Sequence, residues 1–280
     1  MTDFKEDLKD YVIRIEKAIA EEIAQYKNSS FYKPLSYAVE GGKRIRPLIL
    51  VLSAESTSKK GGNPYPAAVA VELLHTESLI HDDVIDRESF RRGKPAFHVK
   101  YGEQVAILSA DFMFAVVVDI LTRYGKPQIL REIASSVLEM CEGEIVDFKM
   151  QMGQDNFSWE TYINLIEKKT ASLFSAAARI GAIIGEGEDW EIKTLSDFGR
   201  LFGVSYQIKD DLLDLRKGER ISDVLRKLMR VGSYEEVEVH LMEMAKKYSE
   251  MAINTLKPLK NTKAKEYLCE LAKFSVLREF

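Results

Sequence analysis

Apolar and polar residues recur at helical spacing along most of the chain. Ile13, Ile19 and Ile23 alternate with Lys and Glu, which predicts an amphipathic first helix that runs out near Asn28. Gly41-Gly42 interrupts a second helical stretch. A third begins at Pro47, a residue tolerated in the first helical turn because its missing N–H would be unpaired there. From Pro66 to Asp86 apolar residues fall at 69, 73, 80 and 84, the mark of a buried helix that ends in acid. Residues 103–121 are apolar nearly all round apart from Ser109, Asp111 and Asp119, so this helix should be enclosed by protein, as core or as a subunit interface. Further helices are expected over 128–150, 159–185, 190–215, 234–257 and 262–280, with loops at GQDNFS, GEGED and RVGS.

Composition sharpens this into an all-α fold. The seven prolines stand at 34, 47, 64, 66, 95, 127 and 258, so 130 consecutive residues contain none, and long helices are the natural occupants. Hydrophobic residues at 46% and charged residues at 30% exclude wholesale disorder and a membrane-embedded body. A net charge of -4 supplies no global positive field for nucleic acid, so any anion site must be local. Cys141 and Cys269 lack CxxC or Cys/His spacing, which argues against a disulfide or zinc framework. The charged N-terminus has no signal-peptide core, and a cytoplasmic protein is expected.

The strongest chemical signal is a repeated pattern. Asp82-Asp83-Val84-Ile85-Asp86 and Asp210-Asp211-Leu212-Leu213-Asp214 both read DDhhD at the end of an apolar helix. The i, i+4 spacing puts Asp82 with Asp86, and Asp210 with Asp214, on one helix face. Such carboxylates repel unless neutralised, and Mg2+ does so with one or two carboxylates, waters and substrate phosphates. With 16 aspartates in 280 residues, chance gives one DDxxD in about 20 such chains and two in about a thousand. A pair of solvated acidic helix ends is therefore a poor account of both.

Basic clusters sit nearby. Gly41-Gly42-Lys43-Arg44-Ile45-Arg46-Pro47 packs three cations into a bend that opens a helix, and Arg91-Arg92-Gly93-Lys94 follows the first acidic motif. His75 lies two turns before Asp82 and shares its face, which outweighs the ordinary reading of a satisfied core histidine; His81, His98 and His240 keep that reading.

On GGKRIRP, ELLHTESLIHDDVID, RRGKPAFH, KKTASL and YQIKDDLLD, in order across about 40–215, the chain resembles the trans-isoprenyl diphosphate synthases of the polyprenyl synthetase family. The resemblance implies a helical bundle around a deep central cavity, with 1–280 as a single all-helical domain. It implies a prenyltransferase that condenses isopentenyl diphosphate with an allylic diphosphate through ionisation, attack by the double bond and proton loss. Asp82, Asp83, Asp86, Asp210, Asp211 and Asp214 would hold Mg2+ on the allylic diphosphate. Arg91, Lys169, Thr170 and Gln207 would bind that substrate, and Lys43, Arg46, His75 and Arg92 would grip isopentenyl diphosphate. Asp82, Asp86, Lys169 and Asp210 carry the catalytic role. Homodimerisation is implied, for which Phe112, Met113, Phe114, Val116 and Val117 offer an apolar face; a heteromer with a second synthase subunit is the alternative.

Two departures from the family pattern stand out. The second DDxxD usually leads through a glycine- and lysine-bearing loop, whereas here residues 215–223 run straight on to VLRKLMRVGS, so the lysine that normally touches the allylic diphosphate is missing or supplied by Lys217. Product length is normally limited by an aromatic four or five residues before the first motif. Here those residues are Ser78 and Glu77, which points to C20 or longer and leaves a carboxylate that must be paired or turned aside. The rival classes are an accessory subunit, a class I terpene cyclase, which needs no second diphosphate site, and a non-catalytic helical interaction protein.

Overall fold

The helical periodicity is realised throughout. The computed structural model describes residues 2–57, 59, 61–153, 158–217 and 233–278. In chain order the elements are α1 (Thr2–Ala24), α2 (Tyr32–Val39), α3 (Ile45–Ser56), α4 (Tyr65–Ile85), β1 (Phe90–Arg91), β2 (Lys94–Pro95), α5 (Phe97–Tyr101), α6 (Glu103–Thr122), α7 (Pro127–Gln151), α8 (Trp159–Ile166), a π-helical turn (Glu167–Ala171), α9 (Ser172–Ile184), α10 (Asp189–Lys217), α11 (Tyr234–Thr255) and α12 (Lys263–Leu277). The described residues fall into two compact units, those within 1–51 and 63–130, and those within 52–62 and 131–280.

The first unit is organised on α4 and α6, which pack along one another, with α1, α2 and α5 against them. On α1 the inward stripe is Ile15, Ile19 and Ile23; Ile13 is 63% exposed, because the i, i+4 step back from Ile19 lands on Ile15. Arg44 is buried and takes a left-handed backbone (φ 53°). Its guanidinium donates to Glu16 of α1 at 2.7 Å, to Glu72 of α4 at 2.5 Å and to the Val39 carbonyl ending α2. One of the three cations of the GGKRIRP bend is thus a structural tie. After α4 a short antiparallel ribbon pairs Phe90 with Pro95 and Arg91 with Lys94. Its turn residues Arg92 and Gly93 both have positive φ, the geometry of a type I′ hairpin. Neither this ribbon nor α5 is visible in the periodicity, since each is too short to repeat.

Within the chain, the helix expected to be enclosed as core or as a subunit interface is covered on one face. On α6 Met113, Val116 and Val117 are core, whereas Ile107, Leu108, Phe114 and Val118 are exposed. By length and composition α6 could also cross a membrane, a test that core helices pass as well.

In the second unit α10 is the centre, contacting α8, the π-helical turn, α9, α11 and α12. A buried cluster including Tyr162, Ile166, Val204, Ile208, Leu212 and Leu241 lies under the second aspartate motif. The stretch expected as one helix over 159–185 is helical throughout but passes through the π-helical turn at Glu167–Ala171, where the sequence reads EKKTA. Such local widening of a helix is frequent at functional sites. Ser233 opens α11 with a capping box to Glu236, and the Thr262 side chain caps α12.

Candidate functional site

In the first unit the cations converge on His75. The Arg46 Nη1 lies 3.1 Å from His75 Nε2. Arginine can only donate, so Nε2 accepts and the ring is neutral with its proton on Nδ1. Burial drives the His75 pKa well below the usual value, and the charges of Arg46, Arg92, Arg91 and Arg44 push it further. Arg92 loses proton affinity too, by burial and by repulsion from Arg44 and Arg91, against the attraction of Glu72 and Asp83. Its Nη1 donates to the Gly41 carbonyl at 3.0 Å. A Cβ on Gly42 would meet that guanidinium at 2.9 Å, so only glycine lets Arg92 lie across the bend. Lys43 is exposed on the same bend. The residues predicted to grip one diphosphate therefore share a locality in which positive charge is crowded.

The first aspartate motif closes α4. Asp82 and Asp86 are partly buried, and the Asp86 N–H returns to the Asp82 carbonyl at 2.8 Å. Asp83 is buried and engages Arg91, whose Nε donates to Oδ1 at 2.8 Å with Nη2 on the same oxygen. Burial weakens the Arg91 proton affinity, but Asp83, with Asp82 and Glu88, more than restores it. Glu77, one turn earlier, is only 14% exposed and sits 3.2 Å from His81 Nδ1. Burial, with Asp111 and Asp82 adding, raises the Glu77 pKa to about 7. The carboxylate is thus both turned to a partner and readily protonated, and His81 has a contact role that its lone position did not suggest.

In the second unit Asp211 takes a different course from Asp83. It is held by two neutral donors, the Tyr162 hydroxyl at 2.7 Å and the Gln207 amide at 2.9 Å. Burial raises its pKa to about 7; those hydrogen bonds lower it, while Asp210 and Asp214 raise it. Tyr162 is pushed well above its ordinary value by burial and by Asp211. Gln207 is in turn fixed by the Thr170 hydroxyl, which donates to its carbonyl at 3.1 Å. Asp210 is paired with Arg278 at 2.8 Å. Lys169, inside the π-helical turn, reaches Glu144 at 2.5 Å and Asp147 at 2.8 Å on α7. A Cβ on Gly143 would strike the Lys169 backbone at 2.6 Å, so the glycine sets how closely α7 approaches the lysine.

Sequence reading missed Tyr162, Glu144, Asp147 and Arg278. The i, i+3 spacing of Glu144 and Asp147, which places two acids on one helix face opposite no assigned partner, is the signal that could have found two of them. The Lys217 side chain and residues 218–232 lie outside what the structure describes, and with them the expectation for the shortened segment.

The donor chemistry fits a hard divalent cation, since the two motifs offer carboxylate oxygens only. Among the described residues no three His, Cys, Asp or Glu side chains converge into a ready-made cage. A Mg2+ ion takes one or two protein carboxylates and completes its shell with waters and substrate phosphates.

A family model described as polyprenyl synthetase matches residues 28–229. The geranylgeranyl diphosphate synthase of Methanosarcina mazei is 35% identical over 246 residues, spanning 85% of this chain and 75% of that protein. The geranylgeranyl diphosphate synthase of Saccharolobus solfataricus is 30% identical across 98% of this chain and 97% of its own length. That alignment runs to 326 positions against a chain of 280, leaving at least 46 with no counterpart here, so this chain is short beside it. The crystal structure of a geranylgeranyl pyrophosphate synthetase from Pyrococcus horikoshii shares the fold with a TM-score of 0.85 at 30% identity, over 99% of each chain.

Proposed function

The chain belongs to the polyprenyl synthetase family and is a prenyltransferase acting on isoprenoid diphosphates, and from that premise we propose that it condenses isopentenyl diphosphate with an allylic diphosphate to give a product of C20 or longer. The observation that carries this reading is the crowding of Arg46, Arg91 and Arg92 around a neutral His75. Arginines packed closely enough to lower the proton affinity of His75 and of Arg92 form a site made for a polyanion, and a diphosphate supplies the missing charge.

In this reading Lys43, Arg46, His75 and Arg92 hold isopentenyl diphosphate. Neutral His75 donates through Nδ1 and adds no charge. Asp82, Asp86, Asp210 and Asp214 are the carboxylates that would hold Mg2+ with the allylic diphosphate. Asp83 and Asp211, the middle carboxylates, fix Arg91 and Gln207 as further binding groups. Bound divalent ions would supply the positive charge that stabilises the departing diphosphate. Lys169 and Thr170, presented by the π-helical turn, bind the same leaving group, and apolar helix walls keep water from the allylic cation. Glu77 replaces the bulky aromatic that would stop a short product, which agrees with relatives named for geranylgeranyl and geranylfarnesyl diphosphate. The exposed Ile107, Leu108, Phe114 and Val118 on α6 support a second copy of the chain as partner, and we place the protein in the cytoplasm.

The test is product chromatography of the purified chain with Mg2+, isopentenyl diphosphate and a dimethylallyl, geranyl or farnesyl primer. Products of C20 or longer are expected. Nothing beyond C15 would overturn the chain length, and no condensation with any primer would overturn the reaction.

A further inference from the structure

Arg278 stands at the C-terminal end of α12, far in sequence from either acidic motif. Its side chain is only 4% exposed. Nε donates to the Ser275 carbonyl at 3.0 Å and Nη2 to the Tyr206 carbonyl at 2.9 Å, while the guanidinium carbon lies 3.9 Å from the centre of the Tyr206 ring. These contacts fix the group without help from any acid, and a helix C-terminus favours a cation there. From this anchored position Nη2 also reaches Asp210 Oδ1 at 2.8 Å. Its Nη1 is buried with no hydrogen-bond partner among the described residues. Among the described residues, the groups touching Arg278 besides Asp210 are carbonyls and a ring face, which offset its positive charge only in part.

We propose that Arg278 is a positioning residue for the second aspartate motif, a fixed internal counter-cation that orients Asp210 and weakens the motif's hold on a bare divalent ion until a diphosphate arrives. The inference rests on the reading of Asp210 and Asp214 as metal-binding carboxylates. Physically it follows from signs. A fixed positive charge beside a carboxylate repels a dication bound to that carboxylate, and the same charge attracts a diphosphate oxygen. Metal and diphosphate then bind better together than metal alone, and loading is coupled to the substrate.

The experiment titrates Mn2+ into the metal-free full-length protein, with free Mn2+ followed by electron paramagnetic resonance, with and without inorganic diphosphate. Arg278→Gln is expected to tighten bare Mn2+ binding about tenfold and to shrink the enhancement by diphosphate about as much. Its melting temperature should fall because buried contacts are lost. Arg278→Lys keeps the charge and should bind bare Mn2+ within about twofold of the wild type while sharing the melting loss. Should Arg278→Gln fail to fold, Arg278→Met keeps the volume of the stem and carries the same expectation. Bare Mn2+ affinity unchanged or weakened in a folded neutral variant overturns the inference and leaves a helix-end packing residue. If instead Asp210→Asn/Asp214→Asn binds Mn2+ with diphosphate as tightly as the wild type, the metal reading of the motif falls, and the inference with it.

Discussion

The two aspartate motifs are nearly the same in sequence and opposite in electrostatic treatment. In the first, the middle carboxylate, Asp83, is buried against a cation, Arg91. In the second, the middle carboxylate, Asp211, is partly buried against a hydroxyl and an amide, and its pKa rises to about 7. A charge taken out of water is tolerated when an opposite charge accompanies it, and otherwise the group moves toward its neutral form. The motif spacing therefore specifies which carboxylates share a face, not what state each is in. Of the flanking acids, Asp210 carries an internal arginine.

The largest effect should separate flanking from middle positions. Asp82→Ala removes a proposed metal ligand and should lower turnover by about a thousandfold or more. Asp83→Asn should retain more activity, and equal losses in a steady-state assay would erase the distinction. A smaller effect bears directly on the two middle acids. Asp83→Asn strips a partly buried arginine of its counter-ion and should cost about 2–3 kcal/mol in denaturant unfolding at pH 7. Asp211→Asn imitates a carboxyl that is already half protonated near neutrality and should cost under about 1 kcal/mol. The pH dependence has a defined sign. Between about pH 4 and 7 native Asp211 holds more proton than the unfolded chain, so its contribution to stability falls as pH rises through that window, and Asp211→Asn flattens the slope. Equal costs for the two asparagine variants in metal-free protein would break the comparison.

Much of this architecture was legible because helices repeat. The spans of α4, α6, α7 and α10 follow from periodicity and from prolines confined to first helical turns and connecting segments, as Pro127 is at the start of α7. Paired aspartates and neighbouring cations announced the chemistry. What stayed hidden depends on contacts made across long sequence separations. Arg44 and Arg46 are alike in the sequence, yet one is locked to Glu16 and Glu72 and the other faces His75. Met113 and Phe114 are both apolar, and only their rotation about α6 decides that one is core and the other exposed. Tyr162 meets Asp211 across 49 positions, and no local pattern encodes that distance.

Glu77 provides the finest division, because it lies in the same unit as Asp83 and yet behaves like Asp211. It is largely shielded from solvent, its near neighbours include the carboxylates of Asp111 and Asp82, and its pKa stands at about 7. If the partner decides the state of a buried acid, its unit is irrelevant, and Glu77 should show the pH slope predicted for Asp211. The unfolded chain gives Glu77 a pKa near 4.5, and the folded chain about 7. Between those values the native state binds the extra proton, so the wild type loses stability as pH rises. Glu77→Gln removes that loss and gives up the His81 contact, for a net gain of about 1 kcal/mol at pH 8 and a small deficit below pH 4.5. Thermal melts of metal-free wild type and variant across that range should therefore cross once. Parallel curves would show that Glu77 is ionised in the native protein, and that the His81 pairing alone decides its state.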